Sequence, residues 1–231
     1  MNAALRFLKA VLPDRAGKAL RRKHRQIVFH RSMKLFLADP VGSWRLNPRL
    51  LSELIYGWGN ETFSAREEYL FACLEHAIEH GGVILECGSG LTTVLVGAVL
   101  ARAGGTLFAL EHNAEWCTII RACLNEYQIE SAKVVFAPLT NYGNYSWYDV
   151  PPSVLPQTLS VIICDGPPAG TPGGRYGVMP LMRSRLEPGS VVLLDDAARA
   201  QEQAIANRWM GELGRPFEMF GVEKPYARIA I

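Results

Sequence analysis

An acidic, glycine-rich turn follows a short apolar segment in the first half of this chain. Residues 83–85 are apolar and lead into Glu86, and the sequence continues as Cys-Gly-Ser-Gly before a helical pattern begins. An apolar run of this kind is typical of a buried strand in a parallel sheet. Glycines let a ligand approach the backbone, and open α/β sheets bind ligands where their strands end. The segment therefore predicts an α/β fold with a ligand-binding loop at residues 86–90.

The carboxylate of Glu86 restricts which ligand this loop can hold. It would repel a pyrophosphate, and Thr93 stands where the dinucleotide-binding pattern Gly-x-Gly-x-x-Gly has its third glycine. A ligand with a positive amino group suits the acid better, and S-adenosylmethionine carries an amino group and a sulfonium. Glu111 ends the next predicted strand, where an acid accepts hydrogen bonds from ribose hydroxyls. Together the two acids indicate S-adenosylmethionine as the cofactor.

These motifs resemble those of the class I S-adenosylmethionine-dependent methyltransferases. The resemblance covers residues 64–231 and includes the later predicted strands at 133–136, 159–164 and 190–194. It implies an α/β fold with a doubly wound, mostly parallel seven-stranded sheet and an N-terminal helical extension. The cofactor-binding residues that it implies are Glu86, Gly88, Ser89, Gly90, Glu111, His112, Pro138, Leu139 and Asp165.

Charged residues follow the fourth and fifth predicted strands of this fold. Asp165 comes directly after the fourth strand, where it can bind the cofactor, serve as a base or cap the loop. Asp196 follows the fifth strand and is the second candidate base. Arg175 lies in the loop between them, where it either pairs with Asp165, binds an anionic substrate group or faces solvent. We predict Asp165, Asp196 and Arg175 as the catalytic residues.

The same acids raise the question of a metal. Catechol O-methyltransferase-like enzymes hold Mg²⁺ through acids after the fourth and fifth strands and a following asparagine, whereas this chain has Ala197 in the asparagine's place. If Mg²⁺ binds, its ligands are Asp165, Asp195 and Asp196. The sequence after Asp165 also lacks the aromatic residue of the amino-group methyltransferases, which favours an oxygen acceptor.

Aromatic and basic residues near these strand ends are candidates for binding the substrate. Trp147 and Tyr148 lie in a polar, aromatic segment beyond the third strand, and Tyr176 follows Arg175. Arg199 follows the fifth strand and either contacts the substrate or pairs with Asp196. The alternative for the aromatic residues is that they pack the loops onto the core.

The charge of the chain is unevenly distributed. Residues 1–34 contain ten basic residues and one acid, a net charge of +9, whereas the rest of the chain carries −7. The apolar face of a predicted helix near the N-terminus adds to this basic arm, and together they predict binding to an anionic membrane surface. Nucleic acid is a less suitable partner because the remaining chain is acidic. The alternative is that the arm packs on the rest of the protein.

These features divide the chain into a basic helical arm (residues 1–40), an aromatic connector (41–63) and a methyltransferase domain (64–231). We predict methyl transfer to a small-molecule or glycan- or lipid-linked acceptor, at oxygen. Five cysteines without a pairing pattern favour the cytoplasm, with peripheral membrane association, while the arginine-rich start leaves organellar targeting open. The rival functions are a nicotinamide-dependent oxidoreductase, an aminopropyl transferase and a non-enzymatic membrane adaptor. The oligomeric state does not follow from the sequence.

Overall fold

The computed structural model describes residues 14–60 and 65–231, which fall into two compact units. The first unit is helical, and its helices are α1 (Asp14–Ala38), α2 (Ser43–Leu46) and α3 (Leu50–Trp58). Helices α1 and α3 approach closely at Gly57, where an added Cβ would lie 2.7 Å from the backbone of Phe29. The segment expected to be an aromatic connector is thus largely helical. The helix expected near the N-terminus lies outside the described residues.

The second unit, residues 65–231, alternates strands and helices. Its strands are β1 (Gly82–Cys87), β2 (Gly105–Glu111), β3 (Ala132–Phe136), β4 (Leu139–Asn141), β5 (Ser146–Tyr148), β6 (Leu159–Cys164), β7 (Leu186–Leu194), β8 (Phe217–Phe220) and β9 (Tyr226–Ala230). Its helices are α4 (Glu67–His80), α5 (Leu91–Ala103), α6 (Ala114–Glu126), α7 (Val178–Met182) and α8 (Ala200–Leu213).

Seven of these strands form one sheet in the order β3-β2-β1-β6-β7-β9-β8. The first five pair in parallel, whereas β9 is antiparallel to both β7 and β8. The central strands are rich in Val, Ile and Leu and are buried, as expected for parallel strands covered on both faces. The predicted doubly wound, mostly parallel seven-stranded α/β fold is therefore confirmed, and its last two strands form an antiparallel hairpin.

The strand order reverses between β1 and β6, and this reversal positions the site. Strand β2 pairs with one edge of β1 and β6 pairs with its other edge. The loops that follow β1 and β6 therefore lead away in opposite directions and leave a crevice between them. The backbone N–H of Asp165 donates to the carbonyl oxygen of Cys87 at 3.1 Å. The two loops are thus joined where such folds bind ligands.

Candidate active site

The loop after β1 needs glycine at position 88. Gly88 has a φ of +89°, in the left-handed region that side chains disfavour. A Cβ added there would lie 3.3 Å from the Cα atom of Gly166 in the loop after β6. The backbone N–H of Gly88 donates to the Leu110 carbonyl oxygen at 2.9 Å. Backbone geometry and the neighbouring loop both therefore require the absence of a side chain at Gly88.

Glu86 is buried beneath this loop and supports it through Thr93. Only 1% of Glu86 is exposed, and Thr93 Oγ1 donates to Glu86 Oε2 at 2.5 Å. Thr93 Oγ1 also accepts a hydrogen bond from the Gly90 N–H at 2.8 Å. Burial raises the pKa of Glu86 well above its ordinary value. In the sequence Thr93 counted only as a mismatch to a dinucleotide pattern, whereas in the structure it connects the acid to the start of α5.

Glu111 joins the loops that follow β1 and β2. Its carboxylate is 4% exposed, and Oε2 accepts hydrogen bonds from the N–H and hydroxyl of Ser89 at 3.1 and 2.9 Å. The other oxygen accepts from the Asn113 N–H at 2.9 Å and lies 3.1 Å from His112 Nδ1. Glu111, Ser89 and His112 are thus brought together, as the cofactor prediction requires.

The segment after β3 forms the small hairpin β4–β5, in which Leu139 pairs with Tyr148. Pro138 is exposed, and its carbonyl oxygen accepts a hydrogen bond from the Asp149 N–H at 2.8 Å. Trp147 and Tyr148 correct the substrate prediction, because they are 0% and 1% exposed and belong to the core. Both side chains are covered by the loop after β6, in which Gly177 lies against the Trp147 ring and Gly166 against the Tyr148 hydroxyl.

Three carboxylates converge at the ends of β6 and β7. We call Asp165, Asp195 and Asp196 the acid cluster; one oxygen from each lies within 4.8 Å of the others. Asp195 and Asp196 are 0% and 5% exposed, and the Asp165 side chain is 25% exposed. Asp196 has a φ of +58°, an uncommon conformation for a residue other than glycine, and such strain is concentrated at functional sites.

Arg175 is buried between the members of the acid cluster. Its Nη2 donates to the backbone oxygen and Oδ1 of Asp165 at 2.7 and 3.1 Å, and to Asp196 Oδ2 at 3.0 Å. Its Nη1 donates to the Asp195 carbonyl oxygen at 2.6 Å. Because Arg175 is 3% exposed, the solvent-facing and substrate-binding alternatives do not apply in this structure. Its contacts are those of a positioning residue that fixes both acidic loops.

Lys224, which lies between β8 and β9, is a member of the site that sequence reasoning missed. Its Nζ lies 2.6 Å from Asp195 Oδ2 and 3.1 Å from Asp196 Oδ1. Although burial opposes its charge, the neighbouring carboxylates, Asp195 foremost, raise the pKa of Lys224, so it remains an ammonium. In the sequence, Lys224 is only a lysine in the turn between the last two strands. Nothing local indicates that this turn lies against the end of β7.

The cations around the acid cluster decide the question of Mg²⁺. A hard divalent ion needs several free carboxylate oxygens, and Mg²⁺ demands near-octahedral geometry. Here Lys224 bridges Asp195 and Asp196, while Arg175 joins Asp196 to Asp165. Arg199 adds a third cation at 2.8 Å from Asp196 Oδ2. Three acids are thus matched by three bases, and this arrangement does not fit a divalent metal.

The pKa of Asp165 is close to neutral pH, which suits a catalytic base. Burial, the largest influence, and the Asp195 carboxylate raise the pKa of Asp165 to about 7, against the opposing effects of Arg175 and Lys224. A general base works best when its pKa is close to the working pH. The backbone N–H of Asp165 itself donates to the carbonyl oxygen of Cys87 at the end of β1, so Asp165 lies beside the predicted cofactor site.

Tyr176 and Arg199, the remaining predicted substrate residues, have protein partners. The Tyr176 hydroxyl donates to Glu212 Oε1 at 2.8 Å, and the Arg208 guanidinium stacks over its ring at 3.4 Å. Tyr176 is 9% exposed and anchors its loop to α8. Arg199 pairs with Asp196, but its side chain is 52% exposed. Of these two, Arg199 has the surface needed to meet a substrate.

The residues after β1 and β2 suit S-adenosylmethionine. Gly90 begins α5, and a Cβ added there would meet no described atom within 4 Å, so the loop has room for a ligand against its backbone. The buried carboxyl groups of Glu86 and Glu111 supply oxygen acceptors for an amino group and for ribose hydroxyls. Adjacent to them, the acid cluster offers a base.

The sheet order, the glycine loop and the acid after β2 define the class I methyltransferase architecture. Residues 85–197 match the family model described as a methyltransferase domain. The match covers slightly less than half of the chain and, together with the architecture, supports an S-adenosylmethionine-dependent methyltransferase domain of the class I type in the second unit. No curated protein matches the sequence. The rival oxidoreductase, aminopropyl transferase and adaptor functions are not favoured.

Solved structures similar to this chain share its fold at low sequence identity. A putative caffeoyl-CoA O-methyltransferase from Staphylococcus aureus has a TM-score of 0.61 at 11% identity, over 81% of this chain and 98% of that chain. An O-methyltransferase from Bacillus cereus in complex with SAH has a TM-score of 0.55 at 13% identity, over 78% and 90%. An SAH-bound methyltransferase from Podospora anserina has a TM-score of 0.55 at 14% identity, over 84% and 86%.

Proposed function

We propose that this protein methylates an oxygen atom of a small-molecule or of a glycan- or lipid-linked acceptor, with Asp165 as the general base and without a divalent metal. The observation that carries the proposal is the contact between the two loops of the site. Asp165 and Gly166 lie against Cys87 and Gly88, so the acid cluster borders the proposed cofactor loop. The structures similar to this chain include two O-methyltransferases by name, which agrees with an oxygen acceptor.

In this proposal some residues of the chain bind the cofactor and Asp165 transfers the proton. When bound, S-adenosylmethionine supplies an electrophilic methyl group on a sulfonium. Glu86 and the loop at 88–90 would hold its amino-acid end, Glu111 would hold the ribose, and His112, Pro138 and Leu139 would border the adenine. Asp165 would accept the proton that the acceptor hydroxyl loses as its oxygen bonds to the methyl carbon, while the bond from that carbon to sulfur breaks and S-adenosylhomocysteine leaves. Positioning and proton removal are the main contributions an enzyme makes to such a displacement.

The cations of the site have a separate task in this proposal. Arg175 and Lys224 keep three neighbouring carboxylates together without a metal, and Arg175 holds the Asp165 carboxylate in place. Asp196 is held by Arg175, Arg199 and Lys224, so its two oxygens are engaged by cations. Asp165, with its more exposed side chain, is therefore the better base, and Asp196 is a positioning residue. Arg199 is the proposed contact to the acceptor.

Replacing Glu111 with alanine should weaken binding of S-adenosylmethionine by about 1–3 kcal/mol, or roughly 5–150-fold, because charge-assisted hydrogen bonds to the ribose are lost. Isothermal calorimetry on the full chain measures the dissociation constants of S-adenosylmethionine, S-adenosylhomocysteine and NAD. Glu115→Ala is the matched control, since Glu115 is an exposed acid on the following helix. Tight binding of NAD with no binding of S-adenosylmethionine would refute the proposed function.

We also propose that the first unit brings the enzyme to an anionic membrane on the cytoplasmic side. Leu20, Ile27 and Leu35 are 50%, 67% and 45% exposed and are spaced about two helical turns apart along α1, so they share one side. Arg31 and Lys34 are exposed on the same side. This mixture of apolar and basic side chains suits the boundary of an anionic bilayer. Within residues 14–60 and 65–231, no helix is long and apolar enough to cross a membrane.

Changing Lys23, Arg31 and Lys34, which lie on this side of α1, to glutamine should reduce flotation of the full chain with anionic vesicles by about 100-fold in partition coefficient, because each basic residue contributes about 1 kcal/mol. The control variant carries Arg102, Arg183 and Arg215→Gln, which removes the same charge from exposed positions of the second unit. Equal flotation of both variants, or preference of the full chain for RNA over vesicles, would contradict membrane recruitment by α1.

A further inference from the structure

A second group of metal-ligating side chains lies on α4, away from the proposed active site. His76, Glu79 and His80 occupy positions i, i+3 and i+4, which places them on one face of the helix. One ligand atom from each lies within 4.8 Å of the others. The two imidazole rings are stacked with their centroids 5.5 Å apart. The group sits at the end of α4 just before β1, whereas Glu86 lies near the other end of that strand.

The separation between His76 and Glu79 is that of two ligands on one tetrahedral ion. His76 Nδ1 lies 3.4 Å from Glu79 Oε2. Zinc bonds of about 2.0–2.2 Å at the tetrahedral angle place a nitrogen and an oxygen ligand about 3.4 Å apart. Among the described residues His76 Nδ1 is also a buried nitrogen without a hydrogen-bond partner. A cation bound between this nitrogen and the Glu79 carboxylate would give the nitrogen the partner it lacks.

The chemistry of the three ligands selects a class of ion. Imidazole nitrogen favours Zn²⁺ and other transition metals over Mg²⁺ and Ca²⁺, which prefer oxygen. Metal binding requires neutral histidine, and burial lowers the pKa of His76, with Glu79 and Glu75 opposing and His80 and Arg228 assisting. His80 and Glu79 are exposed, so an ion can enter from solvent.

We propose that His76, Glu79 and His80 form a site for a divalent transition metal, with Zn²⁺ as the fitting ion and water completing its coordination. The ion would tie together the last turn of α4, whose end leads through Gly81 into β1. A bound ion of this kind stabilises the folded state by mass action. Its place at the amino end of β1 makes it a structural or regulatory site and separates it from methyl transfer.

Titration of the metal-free full chain with ZnCl₂, in excess MgCl₂, tests this site by calorimetry. One ion per chain should bind with micromolar affinity and raise the melting temperature. His80→Ala, at an exposed position, should weaken zinc binding by at least roughly 10–100-fold, because a lost ligand should cost no less than a lost outer-shell partner does. The variant should also show no thermal shift with zinc. His30→Ala, an exposed histidine of the first unit, is the control and should bind zinc as the unaltered chain does.

Two results would overturn the metal site. Either zinc binds only at millimolar concentration, or His80→Ala and the unaltered chain bind it equally. Asp195→Asn separates the site from the acid cluster, because zinc affinity should not change in that variant. A zinc-dependent thermal shift that disappears in Asp195→Asn but persists in His80→Ala would assign the ion to the acid cluster and would likewise refute the proposal.

Discussion

Replacing Arg175 with methionine should lower the free energy of unfolding by about 3–5 kcal/mol, because removing one partner of a buried ion pair leaves charge without compensation. Arg175 is 3% exposed and donates hydrogen bonds to Asp165, Asp196 and the backbone of Asp195. Its loss would leave three neighbouring acids with Lys224 and the exposed Arg199 as their remaining cations in the described structure. Urea unfolding followed by circular dichroism measures the effect.

Arg199→Met provides the matched control for this experiment. Arg199 contacts the same Asp196 carboxylate at 2.8 Å, but its side chain is 52% exposed. An exposed ion pair contributes about 0–1 kcal/mol, so this variant should unfold at nearly the same urea concentration as the unaltered chain. If Arg199→Met is as destabilised as Arg175→Met, burial of the guanidinium is not what holds the two acidic loops together.

Changing Asp165 to asparagine should lower kcat by about 10²–10⁴-fold, the usual contribution of a general base. The substitution keeps the shape of the side chain but removes its ability to take a proton. In the unaltered enzyme the rate should rise with pH and level off above about 7, because the pKa of Asp165 is raised to about 7 and the ionised form is the base. The asparagine variant should lose this dependence.

Assays of S-adenosylhomocysteine formation with matched phenol and aniline acceptors measure both the loss of kcat in Asp165→Asn and the preferred acceptor atom. The proposal expects turnover of phenols, equal rates with chelator and with MgCl₂, and an unchanged profile in Asp149→Asn, an exposed acid of the β4–β5 hairpin. A pH profile in Asp165→Asn that parallels the unaltered enzyme would eliminate Asp165 as the base. Loss of activity in chelator, restored by Mg²⁺, would eliminate the metal-independent route.

The contrast between Glu86 and Arg175 shows where sequence reasoning succeeded. Glu86 lies at the end of an apolar segment, and the strand, the turn and the following helix are all specified by residues 82–93. For Arg175, in a loop between glycines, the sequence left pairing with Asp165, binding of a substrate anion and exposure to solvent open. Its burial results from Asp165 and Asp196, which follow two different strands, so no local pattern could choose among these alternatives.

Local sequence also failed to predict the surroundings of Trp147 and Lys224. The aromatic residues of the β4–β5 hairpin looked suited to a substrate, yet the 166–177 loop covers them; Gly177 lies directly against the Trp147 ring. Lys224 looked like a turn residue, yet the antiparallel pairing of β9 with β7 brings it to Asp195. Both outcomes depend on contacts between residues distant in the chain.

Short-range sequence patterns predicted the α/β class, the ligand loop after β1 and the acid after β2, because apolar runs define buried strands and glycines and acids end them. The seven-stranded sheet came from the resemblance to the methyltransferase family. Which charges meet depends on contacts between residues distant in the chain. Parallel strands bring the Asp165 and Asp196 loops to one edge of the sheet, and the antiparallel strand β9 brings Lys224 to Asp195. Arg175 and Lys224 therefore engage the carboxylates that the acids alone suggested as metal ligands.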